Sequence, residues 1–100
     1  MKERLRSLSA IDRVIHEPGR LMIIALLSAV EEADFLYLQY ETGLNKGTLS
    51  SHLARLEDAG YVEITKTYRG KIPQTLLRLT SSGCRIFAQY KRHMKKGLQM

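Results

Sequence analysis

The sequence contains no tryptophan, one cysteine, two prolines, and not a single acidic residue after Glu63. Each shortage removes a class of protein. One cysteine, Cys84, cannot form an intramolecular disulfide and suits a reducing compartment. An aromatic content of 7% argues against a large ligand cavity walled by rings. His16, His52, His93 and Cys84 stand apart with no two at ligand spacing, so no metal site is expected. A Gly-rich phosphate loop, a His-Glu-x-x-His run and a Ser/His/Asp spacing are missing, which leaves an enzyme reading without support. The start MKERLRSL carries charge but no apolar run or small-residue cleavage site, so no signal peptide is expected. The longest apolar stretch, Leu21 to Val30, is too short to cross a bilayer. The expectation is a cytoplasmic protein with no cofactor and no membrane partner.

What is present is one domain's worth of chain. Residues 1 to 100, with 44% hydrophobic residues, suffice for a single domain with a modest core. Sixteen Lys and Arg against ten Asp and Glu give a formal charge of +6 and a pI near 9.7, which favours a polyanionic partner. The distribution matters more than the total. From Ile64 to Met100 there are nine basic residues and no acid, so the C-terminal third is the anion-facing part. Lys66, Arg69 and Lys71 cluster at one hairpin tip, whereas Lys91, Arg92, Lys95 and Lys96 read equally well as a solvated tail.

Gly43 to Val62, GLNKGTLSSHLARLEDAGYV, organises the rest. Gly43-Leu44-Asn45 reads as a tight turn between two short helices, with Asn45 capping the second through the amide of Gly47 or Thr48. In that second helix Leu49, Leu53 and Leu56 form one apolar stripe at helical period. At about 100° per residue, Thr48, Ser51 and Arg55 fall together on the opposite side. Such a surface suits a DNA major groove, where a helix must come close and offer hydrogen bonds. It is also what an ordinary amphipathic helix with a wet face looks like.

Around it, residues 1 to 16 read as a first helix with Leu5, Leu8, Ile11 and Ile15 on one side. Pro18 to about Glu32 reads as a second, apolar almost all round, with Glu31 and Glu32 opposing its dipole. Phe35 supplies a one- or two-residue strand before a third short helix, LYLQYET, that ends at Gly43. YVEITKTYRGKIPQTLLRLT reads as a hairpin with Arg69-Gly70-Lys71 at its tip and Pro73 at an edge or loop margin. Thr80 caps a last helix with Phe87, Tyr90, Met94 and Leu98 on one side. The fold class is mainly α with a small β-hairpin (α+β).

This order and these residues resemble the winged helix-turn-helix of small prokaryotic transcription regulators. They are similar to the MarR and ArsR groups, and most to a small stand-alone winged-helix family with the pattern GxLSxHLxxLExAGYV and a PxT…LTxxG hairpin exit. Here those are Gly47, Leu49, Ser50, His52, Leu53, Leu56, Glu57, Ala59, Gly60, Tyr61 and Val62, then Pro73, Thr75, Leu79, Thr80 and Gly83. Pro18, Arg20, Leu21 and Phe35 extend the likeness, which spans roughly residues 11 to 90. The resemblance implies a homodimer on double-stranded operator DNA. The helix at about 46–58 would lie in the major groove, and a wing at 66–73 would meet the flanking minor groove or backbone. Terminal helices would form the dimer interface. The paired cysteines of ArsR-type metal sensors and the Asp-x-Arg wing signature of MarR proteins are absent, and no effector ligand is specified.

The candidate DNA-binding residues are therefore Lys46, Gly47, Thr48, Ser50, Ser51, Arg55, Lys66, Arg69 and Lys71. Arg55 has three readings: guanine O6 and N7, a phosphate, or an ion pair with Asp58. Tyr37 and Tyr40 fit phosphate contacts or core packing, His52 fits a packed histidine bonded to backbone better than a DNA contact or a ligand, and Cys84 fits a small buried apolar residue. The candidate dimer-interface residues are Leu5, Leu8, Ile11, Phe87, Tyr90, Met94 and Leu98. The alternatives to a regulator are a winged-helix protein-interaction module and a nonspecific nucleic-acid binder.

Overall fold

The computed structural model describes residues 2–99. Five helices are present: α1 (Lys2–Arg6), α2 (Pro18–Leu27), α3 (Phe35–Thr42), α4 (Lys46–Asp58) and α5 (Ser81–Leu98). With them are three strands, β1 (Ala33–Asp34), β2 (Val62–Arg69) and β3 (Ile72–Leu79), in an antiparallel sheet of order β1-β3-β2. This is a winged helix-turn-helix, the fold class the element order implied.

The N-terminal region departs from expectation. The single helix read over residues 1 to 16 is instead α1, a 3₁₀ turn at Ser7–Ala10, and a loop; Met1 lies outside the described residues. The cause is Asp12. Its Oδ1 accepts the amides of Val14 (2.9 Å) and Ile15 (3.0 Å), a local turn that competes with helix. Ile11 before it is already extended, at φ −63° and ψ 132°. Asp12 Oδ2 also accepts from the Tyr61 hydroxyl at 2.5 Å, which pins the loop to the root of β2. Burial and that carboxylate push the Tyr61 hydroxyl up to about 12. Ile15 at the loop's end is fully buried, so the loop contributes to the core.

Helix α2 starts where Pro18 predicts but stops at Leu27, five residues early. Glu31 and Glu32 therefore lie in an exposed turn, and the expected clash with the helix dipole does not arise. Ile23, Ile24 and Leu27 are buried at the centre, against Leu38, Leu49, Leu53, Leu56, Val62 and Leu77. Ala33 and Asp34, rather than Phe35, make the short strand, pairing with Leu77 and Leu76.

Helix α5 closes the core. Thr80 caps it by accepting the Gly83 amide at 3.0 Å, and a Cβ at Gly83 would meet the Tyr61 carbonyl oxygen at 2.2 Å. Phe87 and Tyr90 stack 6.5 Å apart and are buried. Tyr90 also meets His16 Nδ1 through its hydroxyl at 3.0 Å, and burial raises that hydroxyl's pKa. Cys84, one position on from Gly83, turns outward and is exposed, contrary to the buried site expected for it. At the far end Leu8 packs so closely on Gly97 that a Cβ there would lie 2.2 Å from it.

Candidate nucleic-acid interface

Helices α3 and α4 are set by three local devices. Asp34 caps α3 by accepting the Tyr37 amide at 2.7 Å. Gly43 ends it in the left-handed region at φ 71°, its amide donating to the Gln39 carbonyl. Asn45 then caps α4 through the Thr48 amide at 2.8 Å, one of the two partners its position offered. The pair is a helix-turn-helix with a three-residue connection.

Leu49, Leu53 and Leu56 hold the back of α4 in the core with at most 2% exposure. The front is left in solvent. Gly47, Ser51 and Arg55 are exposed and Thr48 is half-buried. Among the described residues Arg55 has no carboxylate within ion-pair distance, so the reading that tied it to Asp58 does not hold here.

The structure also resolves a second exposed stripe on α4 that the helical projection did not separate. Lys46, Ser50, Ala54 and Glu57 face an open cleft of about 830 Å³ whose other wall is the hairpin. Lys66, Pro73 and Thr75 line that wall, with Phe35, Leu36 and Gln39 of α3 at one side. Lys46 and Lys66 thus look into one cleft from helix and wing.

The hairpin is a true two-stranded wing. Its ladder runs from Val62↔Leu79 to Arg69↔Ile72, leaving Gly70 and Lys71 as the turn. Gly70 has φ 64° and Lys71 keeps a negative φ, which suits a type II′ turn. Lys66, Arg69 and Lys71 are all exposed, and no acid lies beyond Glu63, which is itself paired with Arg78 at 2.7 Å at the wing root. Pro73 sits in β3 opposite Tyr68, beyond the reach of β1, where a missing ladder donor is tolerated.

Tyr68 is an exposed wing aromatic that the sequence reading did not single out. It is 70% exposed and shares the inner wing face with Lys66, as the period of two requires. That same period, carried two residues past Lys66, would have found it. Tyr37 and Tyr40 are exposed on α3, so the core-packing reading does not describe them. Among the described residues His52 has no backbone partner; its ring lies against Arg20 and Glu17.

The terminal-helix residues divide three ways. Phe87 and Tyr90 belong to the chain's own core, Leu8, Ile11 and Met94 are half-buried, and Leu5 and Leu98 are 53% and 51% exposed. Among the described residues no three His, Cys, Asp or Glu side chains converge as a metal site, and no helix is long and apolar enough to cross a membrane.

An exposed groove-sized helix backed by leucines, beside a cation-bearing hairpin, defines a winged-helix module. Residues 20–98 match the family model for the winged helix DNA-binding domain, and the chain belongs to that family. An uncharacterised protein of Methanocaldococcus jannaschii is 33% identical over 79 residues, covering 78% of this chain and 85% of its own. The solved transcriptional regulator homologue from Pyrococcus horikoshii shares 28% identity at TM-score 0.79, over 95% of this chain and 99% of that one. A MarR-family transcriptional regulator from Silicibacter pomeroyi is alike in fold, at TM-score 0.67 and 19% identity, over 99% of this chain and 66% of that one.

Proposed function

We propose that this protein is a transcriptional regulator that acts in the cytoplasm as a homodimer on double-stranded DNA, without catalysis. Helix α4 enters the major groove, and the wing follows the adjoining backbone and minor groove. The observation that carries this reading is the solvent-facing front of α4 beside an acid-free hairpin. Lys46, Gly47, Thr48, Ser50, Ser51 and Arg55 approach the groove, and Arg55 reads a base edge through its guanidinium fork. Lys66, Arg69 and Lys71 neutralise phosphates and confer salt dependence. Kinship with a solved regulator homologue over nearly the whole of both chains supports a regulatory role.

Self-association would use the outer faces of α1 and α5. With Phe87 and Tyr90 committed inward, that surface centres on Leu5 and Leu98, flanked by Leu8, Ile11 and Met94. Two-fold related groove helices then sit about 34–36 Å apart, one turn of duplex. A specific observation also favours the protein-interaction reading: Leu36 and Tyr40 are 73% and 83% exposed on α3.

The deciding experiment is selection of bound sequences from a random duplex pool, followed by competition at several salt concentrations. A recovered two-fold motif and a steep fall of affinity with salt are expected. Binding without sequence preference leaves a nonspecific nucleic-acid binder, and no binding at low salt ends the DNA reading.

A further inference from the structure

Three leucines hold α4 in place, but apolar contact has no direction, so it fixes depth better than rotation. Rotation matters here. With side chains an α-helix is about 5–6 Å in radius, so a turn of about 20° moves a groove-facing atom by roughly 2 Å. One polar connection ties α4 to the start of α2, and it is built from four consecutive residues and one histidine. Glu17 caps α2 by accepting the Gly19 amide through Oε1. Its other oxygen, Oε2, is buried and among the described residues accepts no hydrogen bond, with His52 Nε2 at 3.3 Å and Arg20 Nη1 at 3.8 Å within ion-pair distance. Arg20 in turn donates Nε–H to the Val14 carbonyl and places Nη1 3.1 Å from His52 Nδ1.

The chemistry of the Arg20–His52 contact points to one tautomer. A guanidinium has donors only, so His52 Nδ1 must be the acceptor. The ring proton is then on Nε2, facing the Glu17 carboxylate. Gly19 completes the fit, since a Cβ there would sit 2.7 Å from His52 Nε2. His52 lies between Ser51 and Leu53 and one turn from Arg55, so holding its ring holds the groove-facing edge.

We infer that Glu17, Arg20 and His52 form a lock that sets the rotation of α4, and that His52 is a positioning residue for sequence discrimination. The structural half stands on geometry alone; the consequence for discrimination rests on the reading of α4 as the groove helix.

The test uses the full chain and two substitutions. His52→Gln keeps an acceptor for Arg20 and an N–H for Glu17, while His52→Leu keeps neither. In the unsubstituted protein, two-bond ¹H–¹⁵N spectra should show the Nε2–H tautomer. Residual dipolar couplings should report a changed orientation of α4 relative to α2 in His52→Leu and an unchanged one in His52→Gln. Preference for the selected duplex over a scrambled one should fall roughly tenfold in the Leu variant, as for loss of one good base contact, and recover in the Gln variant. A purely structural histidine would move the melting temperature without separating the two variants in this way. An Nδ1–H tautomer, unmoved couplings in His52→Leu, or equal impairment of both variants overturns the lock. If α4 turns in the Leu variant but the unsubstituted chain shows no duplex preference, the lock stands and the DNA reading falls.

Discussion

Helices α4 and α5 bury one face in the same core and put that burial to different ends. In α4 the buried side is three aliphatic residues, and the remainder is mostly polar and exposed, with Thr48 and His52 half-buried. In α5 the buried side is aromatic, Lys91 covers the Phe87 ring at 4.7 Å, and α1 with its following 3₁₀ turn lies across the distal half. Both helices are capped at their starts, but the front of α4 is left bare whereas much of α5 is overlaid by its own chain, with Leu98 near its end still exposed. Cations occur on both, so charge alone does not distinguish them; what covers the opposite face does.

The comparison breaks first at Phe87. Phe87→Ala should destabilise the fold by about 3–5 kcal/mol in urea unfolding, the cost of a large cavity in the core. Arg55→Ala should leave stability within about 0.5 kcal/mol yet remove roughly 1–3 kcal/mol of base discrimination, measured by competition between duplexes. Arg69→Ala sharpens the contrast between helix and wing: affinity for every duplex should weaken alike, with the salt slope flatter by about 0.9. Leu98→Asp should change stability little and shift sedimentation from dimer towards monomer; an unshifted boundary removes α5 from the interface. The smallest effect concerns Tyr61. Its hydroxyl is held up to about 12 against an ordinary 10.0, so the neutral form is favoured in the fold. The stability it contributes is complete below pH 10 and is lost as pH rises from 10 to about 12, so in a tyrosinate absorbance titration it should ionise later than an unperturbed tyrosine.

Periodicity and caps made most of this legible. Asn45, Thr80 and Gly43 act where the sequence placed them, because each device is completed within a few residues of itself. The failures share a cause of the opposite kind. Asp12 interrupts the first helix through a turn reinforced by Tyr61, 49 residues away, and no local pattern reveals that partner. Phe87 and Tyr90 read as surplus apolar residues because the sequence does not say how much core α2 and α4 leave unfilled. His52 was readable as packed but not as paired, since Arg20 lies 32 positions off. The cleft between α4 and the wing was likewise invisible, as it exists only once two separate elements stand side by side.

Strand β1 is two residues long and reaches β3 only at Leu76 and Leu77. Outward of that crossing, among the described residues, only the Gln74 side chain still reaches β1, at Asp34 (3.4 Å), and beyond it the hairpin is a two-stranded ribbon anchored at one end. Such a cantilever can twist or bow to match the width of whatever furrow it enters while its root stays clamped. Amide exchange should therefore accelerate steadily from Ile64 towards Gly70, a gradient of compliance rather than a step.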